Sequence, residues 1–238
     1  MRRGLLLLAI MYTTISFSQE SQPKEKLWSG NFDLGLNLTK NIEKTFQLNN
    51  IFQLNYKREK YAISINNNTS FISKTGQEEL LNKGTQDLSY ARTSKNLNIG
   101  LSFQHLYDIS RKIKNRYTTG LGVSYNLLKK KNINIGIIIQ REKENILEGD
   151  DKLQNRLNSN ILITKKIKES ITVTLNNSYQ PNIEELGDFR WVSNLSLRVN
   201  LSSKFLLSVN TTYNYDSTPE IGIPETDYQL INSLSYSF

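Results

Sequence analysis

From Trp28 onward, apolar and polar residues alternate with period two along almost the whole chain. In the first segment Trp28, Gly30, Phe32, Leu34, Leu36 and Leu38 share one parity, while Ser29, Asn31, Asp33, Gly35 and Asn37 share the other. Successive side chains of a strand point to opposite faces, so this predicts a strand with one apolar and one polar face. The pattern recurs in Phe46–Tyr56, Tyr61–Phe71, Leu97–Phe103, Tyr117–Leu127, Ile133–Ile139, Leu157–Ile163, Ile171–Tyr179, Phe189–Leu201, Phe205–Tyr215 and Tyr228–Phe238. A less regular segment lies around Asp87–Ser94. No segment holds a helical period, and the expectation is an all-β chain of about 12 strands.

Alternation alone fits a soluble sandwich as well as a membrane barrel. Four features favour the barrel. The clear segments are longer than the ~5–6 residues of a usual strand, and eleven residues tilted by ~40° rise about 28 Å, the height of an outer-membrane apolar band. The strand count is even. Connections alternate between tight ones (Lys57–Lys60, Lys95–Asn96, Leu128–Lys131, Thr164–Glu169, Ser202–Lys204) and longer ones around 72–86, 108–116, 141–153, 181–188 and 216–227. Only the outward hairpin at Lys40–Lys44 is short. Finally, aromatics gather at strand ends on the apolar parity. Trp28, Tyr56, Tyr61, Tyr125, Phe205, Tyr236 and Phe238 fall at one rim, and Phe46, Phe71, Tyr107, Tyr117, Tyr179, Trp191, Tyr213 and Tyr228 at the other. Two such girdles suit the two membrane interfaces. The predicted architecture is a single antiparallel up-and-down transmembrane β-barrel.

The chain start sharpens this. Met1-Arg2-Arg3, the apolar run Leu5–Tyr12 and the small residues of Ser16-Phe17-Ser18 read as a cleaved secretory signal peptide, residues 1–18. The run is short of the ~20 apolar residues a helical anchor needs. A short periplasmic segment, 19–27, then leads into the barrel, 28–238. The implied address is the outer membrane of a Gram-negative cell. Loss of Arg2 and Arg3 with the leader lowers the formal charge from +8 to +6. In an exported chain this excess gives little reason to expect nucleic acid. Lys57, Arg58, Lys60, Lys95, Lys129–Lys131, Lys165, Lys166, Lys168 and Lys204 sit in the short turns, whereas Glu184, Glu185, Asp188, Asp216, Glu220, Glu225 and Asp227 sit in the last two long loops. Basic turns suit solvated inner connections beside anionic head groups.

Several motifs occur in a characteristic order: Arg116-Tyr117-Thr118-Thr119-Gly120-Leu121-Gly122-Val123-Ser124-Tyr125, Tyr179-Gln180-Pro181-Asn182, Gly187-Asp188-Phe189-Arg190, Tyr213-Asn214-Tyr215-Asp216-Ser217-Thr218-Pro219 and Leu234-Ser235-Tyr236-Ser237-Phe238. With Trp28-Ser29-Gly30 and Leu34-Gly35-Leu36, they make the chain resemble the domain of unknown function 481 family, which includes salt-induced outer-membrane proteins. Lys40-Asn41 departs from the Gly-Asn usual in that family's first hairpin. The resemblance implies an outer-membrane barrel of unassigned activity and supplies no catalytic residues.

Candidate chemistry is sparse. The single histidine, His105, lies on the lipid-facing parity near the outer rim. Twelve-stranded outer-membrane phospholipases keep a serine two residues after such a histidine; here that position is Tyr107. A lone histidine without base partners is a poor basis for a catalytic triad. The chain has no cysteine, which excludes disulfides and thiolate metal sites. Asp150 and Asp151 lack an EF-hand pattern. The expectations are no enzyme, no metal and no cofactor.

The polar parity is rich in amides, from Asn31, Asn37, Asn49 and Gln53 to Asn194, Asn200, Asn210 and Asn214, and carries few charges: Asp33, Arg156, Arg190 and Arg198. In a barrel these four are lumen-facing candidates. The leading functional expectation is a structural or stress-type envelope barrel. The alternative is a narrow, mildly anion-preferring passive channel whose field the arginines set; a rim-active lipid hydrolase is remote. Leu234, Tyr236 and Phe238, ending the last strand on an aromatic, are the candidate assembly signal. Expected partners are outer-membrane lipids and the insertion machinery, with oligomeric state open.

Overall fold

The computed structural model describes residues 27–40, 44–74, 81–128 and 132–238. The expected leader 1–18, and all but the last residue of the segment 19–27, lie outside them. Twelve strands follow one another: β1 Trp28–Lys40, β2 Lys44–Arg58, β3 Tyr61–Lys74, β4 Leu81–Ser94, β5 Leu97–Asp108, β6 Ile113–Leu128, β7 Ile133–Ile146, β8 Lys152–Lys168, β9 Ile171–Pro181, β10 Phe189–Asn200, β11 Phe205–Asp216 and β12 Thr226–Ser237. Each pairs antiparallel with its neighbours in sequence, and β1 pairs with β12 to close the barrel. A 3-10 turn, Ile109–Arg111, lies in the β5–β6 connection.

Strand number and order match the sequence pattern, but several outer ends differ from it. β4 starts at Leu81 instead of near Asp87, β6 at Ile113, β8 at Lys152, and β7 runs on to Ile146. The stretches 72–86, 108–116 and 141–153 therefore contribute strand where loop was expected. In Arg141-Glu142-Lys143-Glu144 both parities are charged, so hydrophobic alternation disappears while backbone pairing to β6 and β8 continues. Above the apolar band a strand needs only its ladder and no apolar face.

The burial pattern is inverted relative to a soluble domain. Among the described residues the buried apolar ones are Ile113, Ile146, Leu206 and Ile231, whereas fifteen polar or charged residues are buried, including Asp33, Glu142, Glu144, Arg156 and Arg190. Leu36, Leu101, Leu121, Ile137, Ile139, Leu195, Leu230 and Leu234 are exposed on the outside. An apolar exterior around a hydrogen-bonded polar interior is stable only when the surrounding solvent is hydrocarbon. Aromatic pairs sit at strand ends: Trp28 with Tyr56 and Phe205 with Tyr236 on one side, Tyr179 with Phe189 on the other.

The closing seam is short. β1 pairs with β2 from Trp28↔Tyr56 to Lys40↔Lys44, but with β12 only from Asn31↔Ser237 to Leu34↔Leu234. Gly30 and Phe238 extend it, each backbone N–H donating to the other's carbonyl at 3.1 Å. The Phe238 ring lies over Gly30 in the space a β-carbon would fill. This is aromatic cover of a strand glycine, a known device for pinning register. Gly30→Ala forces the ring away and should cost about 1–3 kcal/mol of stability; deleting Phe238 removes both the ring and the two backbone bonds. Both variants should lose heat-modifiable folded barrel on gels, the deletion more severely. Wild-type folding yield from the deletion would refute the lock.

Candidate functional site in the lumen

Side chains on non-adjacent strands can meet only across the interior, and several do. Arg190 on β10 donates from Nη1 to Glu142 Oε1 (2.7 Å) and from Nη2 to Glu144 Oε2 (3.4 Å) on β7, two strands removed from its own neighbours. Its Nε reaches Asp216 Oδ2 at 3.2 Å. Arg116 on β6 pairs with Glu144 and lies 3.7 Å from Glu142. Arg156 on β8, 1% exposed, donates to both Asp188 oxygens at 2.7 and 2.9 Å, to the Gln154 side chain and to the Gln180 carbonyl. Arg111 lies 3.8 Å from Asp216.

Four arginines thus meet four carboxylates in one lattice near the outer mouth. Further ties cross there. Lys83 of β4 reaches Asp227 of β12 at 3.5 Å, Gln229 of β12 donates to Ser70 of β3 at 2.9 Å, and Lys152 pairs with Glu220 of the β11–β12 loop.

The four charges anticipated for the lumen divide into two groups. Arg156 and Arg190 enter the outer lattice. Asp33 and Arg198 lie deeper and do not pair with each other. Asp33, 3% exposed, accepts from Ser208 at 3.4 Å, and Ser208 bonds Ser233 and Ser235 at 2.8 and 3.0 Å. Asp33 Oδ1 has no partner among the described residues. Arg198 Nη1 lies 3.2 Å from the Asn31 amide.

The expectation that inward charges are few fails. Arg116, Glu142, Glu144, Asp216, Lys83 and Asp227 also point inward, on strand extensions assigned to loops by hydrophobic alternation. The signal was there in Arg141-Glu142-Lys143-Glu144, where bases share one parity and acids the other. The lattice arginines face carboxylates, so they supply little net positive field.

Two chambers open between the described inward side chains. The outer holds about 340 Å³ between β3–β5 and β10–β12, edged by Lys83, Thr85, Gln104, Asn194, Asn214 and Gln229. The inner holds about 200 Å³ beside β4–β7, where Gly100, Gly122 and Gly136 present no side chain and Ser102, Asn134 and Asn160 complete the wall. On β5 the successive inward residues Ser102 and Gln104 line the inner and the outer chamber in turn. There Gln104 donates to Asp87 at 2.7 Å.

His105 is outside the lumen, on the outer face. Its ring nitrogens lie 2.6 Å from Gln86 Oε1 and 2.8 Å from Asn115 Oδ1, and its ring stacks on Tyr117. Both partners are amides. No group of three or more residues suited to hold a metal occurs among the described residues.

A closed antiparallel barrel with an apolar exterior and a polar, cross-braced interior defines the outer-membrane type of β-barrel protein. The chain belongs to the family described as protein of unknown function DUF481, which matches residues 29–238. No curated protein matches it. Among solved structures it is similar to the NanC porin, at 13% identity over 87% of this chain and 97% of that one, with a TM-score of 0.50. It is also similar to the KdgM porin in complex with disordered oligogalacturonate (10% identity, 88% and 99%, TM-score 0.47). A third is the translocator domain of the autotransporter NalP from Neisseria meningitidis (10%, 100% and 94%, 0.44). At these identities the likeness is one of fold.

The lattice makes two predictions. Arg190→Gln leaves Glu142, Glu144 and Asp216 short of a cation and should lower stability by about 3–5 kcal/mol, measured by urea unfolding in detergent. Burial raises the Asp188 carboxyl, but hydrogen bonds from Arg156, Thr218 and Asn182 outweigh it and hold the group below its ordinary range. A depressed carboxyl contributes stability above the unfolded-state value, and the contribution is lost as pH falls through the folded value. The stability gap between wild type and Asp188→Asn should therefore be widest at neutral pH and close below about pH 4. A gap constant from pH 7 to pH 3 would contradict this.

Proposed function

We propose that the protein is a narrow passive channel for small polar solutes in the outer membrane, with the outer chamber as its selective region. The observation that carries the reading is the chamber of about 340 Å³, walled by amides and hydroxyls and edged by both signs of charge. Lys83, Arg111, Arg116 and Arg190 line it against Asp108, Asp216 and Asp227. Such a wall suits neutral, polyhydroxylated or zwitterionic solutes, since amides donate and accept while paired charges impose no strong field. Gln104, bonded to its cross-strand neighbour Asp87, stands on the wall between the two chambers and is assigned the narrow point between them.

His105, held by two amides, serves as an interfacial side chain and carries no catalytic role. Leu234, Tyr236 and Phe238 serve assembly and are read by the insertion machinery. The cross-lumen ties favour a second reading, a static envelope barrel without transport.

Conductance in planar bilayers separates the two. The channel reading expects small, weakly selective openings, increased about twofold by Gln104→Ala, which widens the narrow point. Lys83→Gln should shift the selectivity towards cations. Electrically silent membranes for both wild type and Gln104→Ala would sink the channel and leave the static barrel.

A further inference from the structure

The outer rim is uneven around the barrel. On β9–β12 it is aromatic: Tyr179, Phe189 and Tyr215 are in ring contact, and Trp191, Tyr213 and Tyr228 are exposed. On β6–β8 the same outward face carries Thr119, Arg141, Lys143 and Asn155. Lys143 is the cross-strand neighbour of Tyr117, and Arg141 of Thr119. From Leu127 to Tyr117 the outward face of β6 rises about 25 Å, so Lys143 stands at the outer edge of the apolar band and Arg141 one step below it.

Both side chains are exposed. Arg141 Nη1 donates to Asn155 Oδ1 at 2.9 Å, and Asn155 donates onward to Glu184 at 2.9 Å. Among the described residues neither Arg141 nor Lys143 has a carboxylate within ion-pair distance. The cations of the outer lumen, Lys83, Arg111, Arg116, Lys152, Arg156 and Arg190, all have one. Neighbouring outward polar groups are satisfied internally, His105 by Gln86 and Asn115, and Gln86 also by Asn67. What stays unmet on this face is the charge of two cations at head-group height.

We propose that Arg141 and Lys143 form a binding site for the phosphate of an anionic lipid head group in the outward leaflet. Asn155 fixes one edge of the guanidinium and leaves its other N–H donors to a phosphate oxygen; the Lys143 ammonium supplies a second, mobile contact. The site rests on membrane placement of the barrel and is independent of any channel activity.

The test titrates the full barrel, in zwitterionic detergent, with bisphosphorylated lipid A and reads bound lipid by native mass spectrometry. Wild type should bind saturably. R141Q/K143Q should bind about 30-fold more weakly, the equivalent of about 2 kcal/mol for two interfacial cations. K57Q/R58Q, altered at an inner turn, should bind as wild type, and inorganic phosphate should not displace the lipid. Should the double variant fold poorly, K143Q, which removes no hydrogen bond, should still weaken binding about fivefold. Equal affinity of wild type and the Arg141 and Lys143 variants would overturn the site. Displacement by inorganic phosphate would overturn the lipid assignment.

Discussion

Inside hydrocarbon no backbone N–H or C=O can be left without a partner, and the rest of this structure follows from that constraint. A sheet surrounded by lipid has no tolerable edge, so β1 must find β12. Closure turns one face of every strand outward into lipid and the other onto a confined interior. The outward face is then held to apolar and interfacial aromatic residues. The inward face must satisfy most of its own polar groups, and it does so with amide–hydroxyl pairs such as Asn49 with Ser70 and Asn158 with Ser178.

The interior shows what this confinement does to charge. An arginine facing open water needs no partner; one held in a narrow lumen does. Arg116, Arg156 and Arg190 accordingly meet Glu144, Asp188 and Glu142, and the Arg190–Glu142 pair joins β10 to β7, strands that do not touch in the sheet. The lattice braces the wall from within, at a height where the strands have left the apolar band and lateral support from lipid has ended. It also occupies one side of the outer mouth, so the open volume is displaced towards β3–β5.

Much of the architecture was legible in the sequence because hydrophobic alternation reports directly on the two faces. The twelve strands, their order and the rims marked by Trp28, Tyr56, Tyr179 and Phe205 all follow from parity. The outer strand ends did not, since alternation vanishes where both faces are wet: β7 beyond Ile139 and β4 before Asp87 hold their shape through backbone pairing. The site was only partly legible. Parity placed Arg156 and Arg190 on the inward face, yet it could not say that they converge. Convergence depends on barrel curvature, which brings β7 within reach of β10. Arg116 and Glu142 were hidden for the simpler reason that their segments resembled loops.

The Gly30–Phe238 lock has a temporal meaning as well. Every other pairing in the barrel joins neighbours in sequence and can form as soon as a hairpin is complete. The seam joins residues near opposite ends of the chain, such as Asp33 and Ser235, so it is the contact with the greatest loop-closure entropy and the one that no partial chain can make. Until that seam forms, the sheet carries two open edges, each able to template pairing with another molecule. Placing the register pin at the seam ties the end of that vulnerable interval to closure of the barrel.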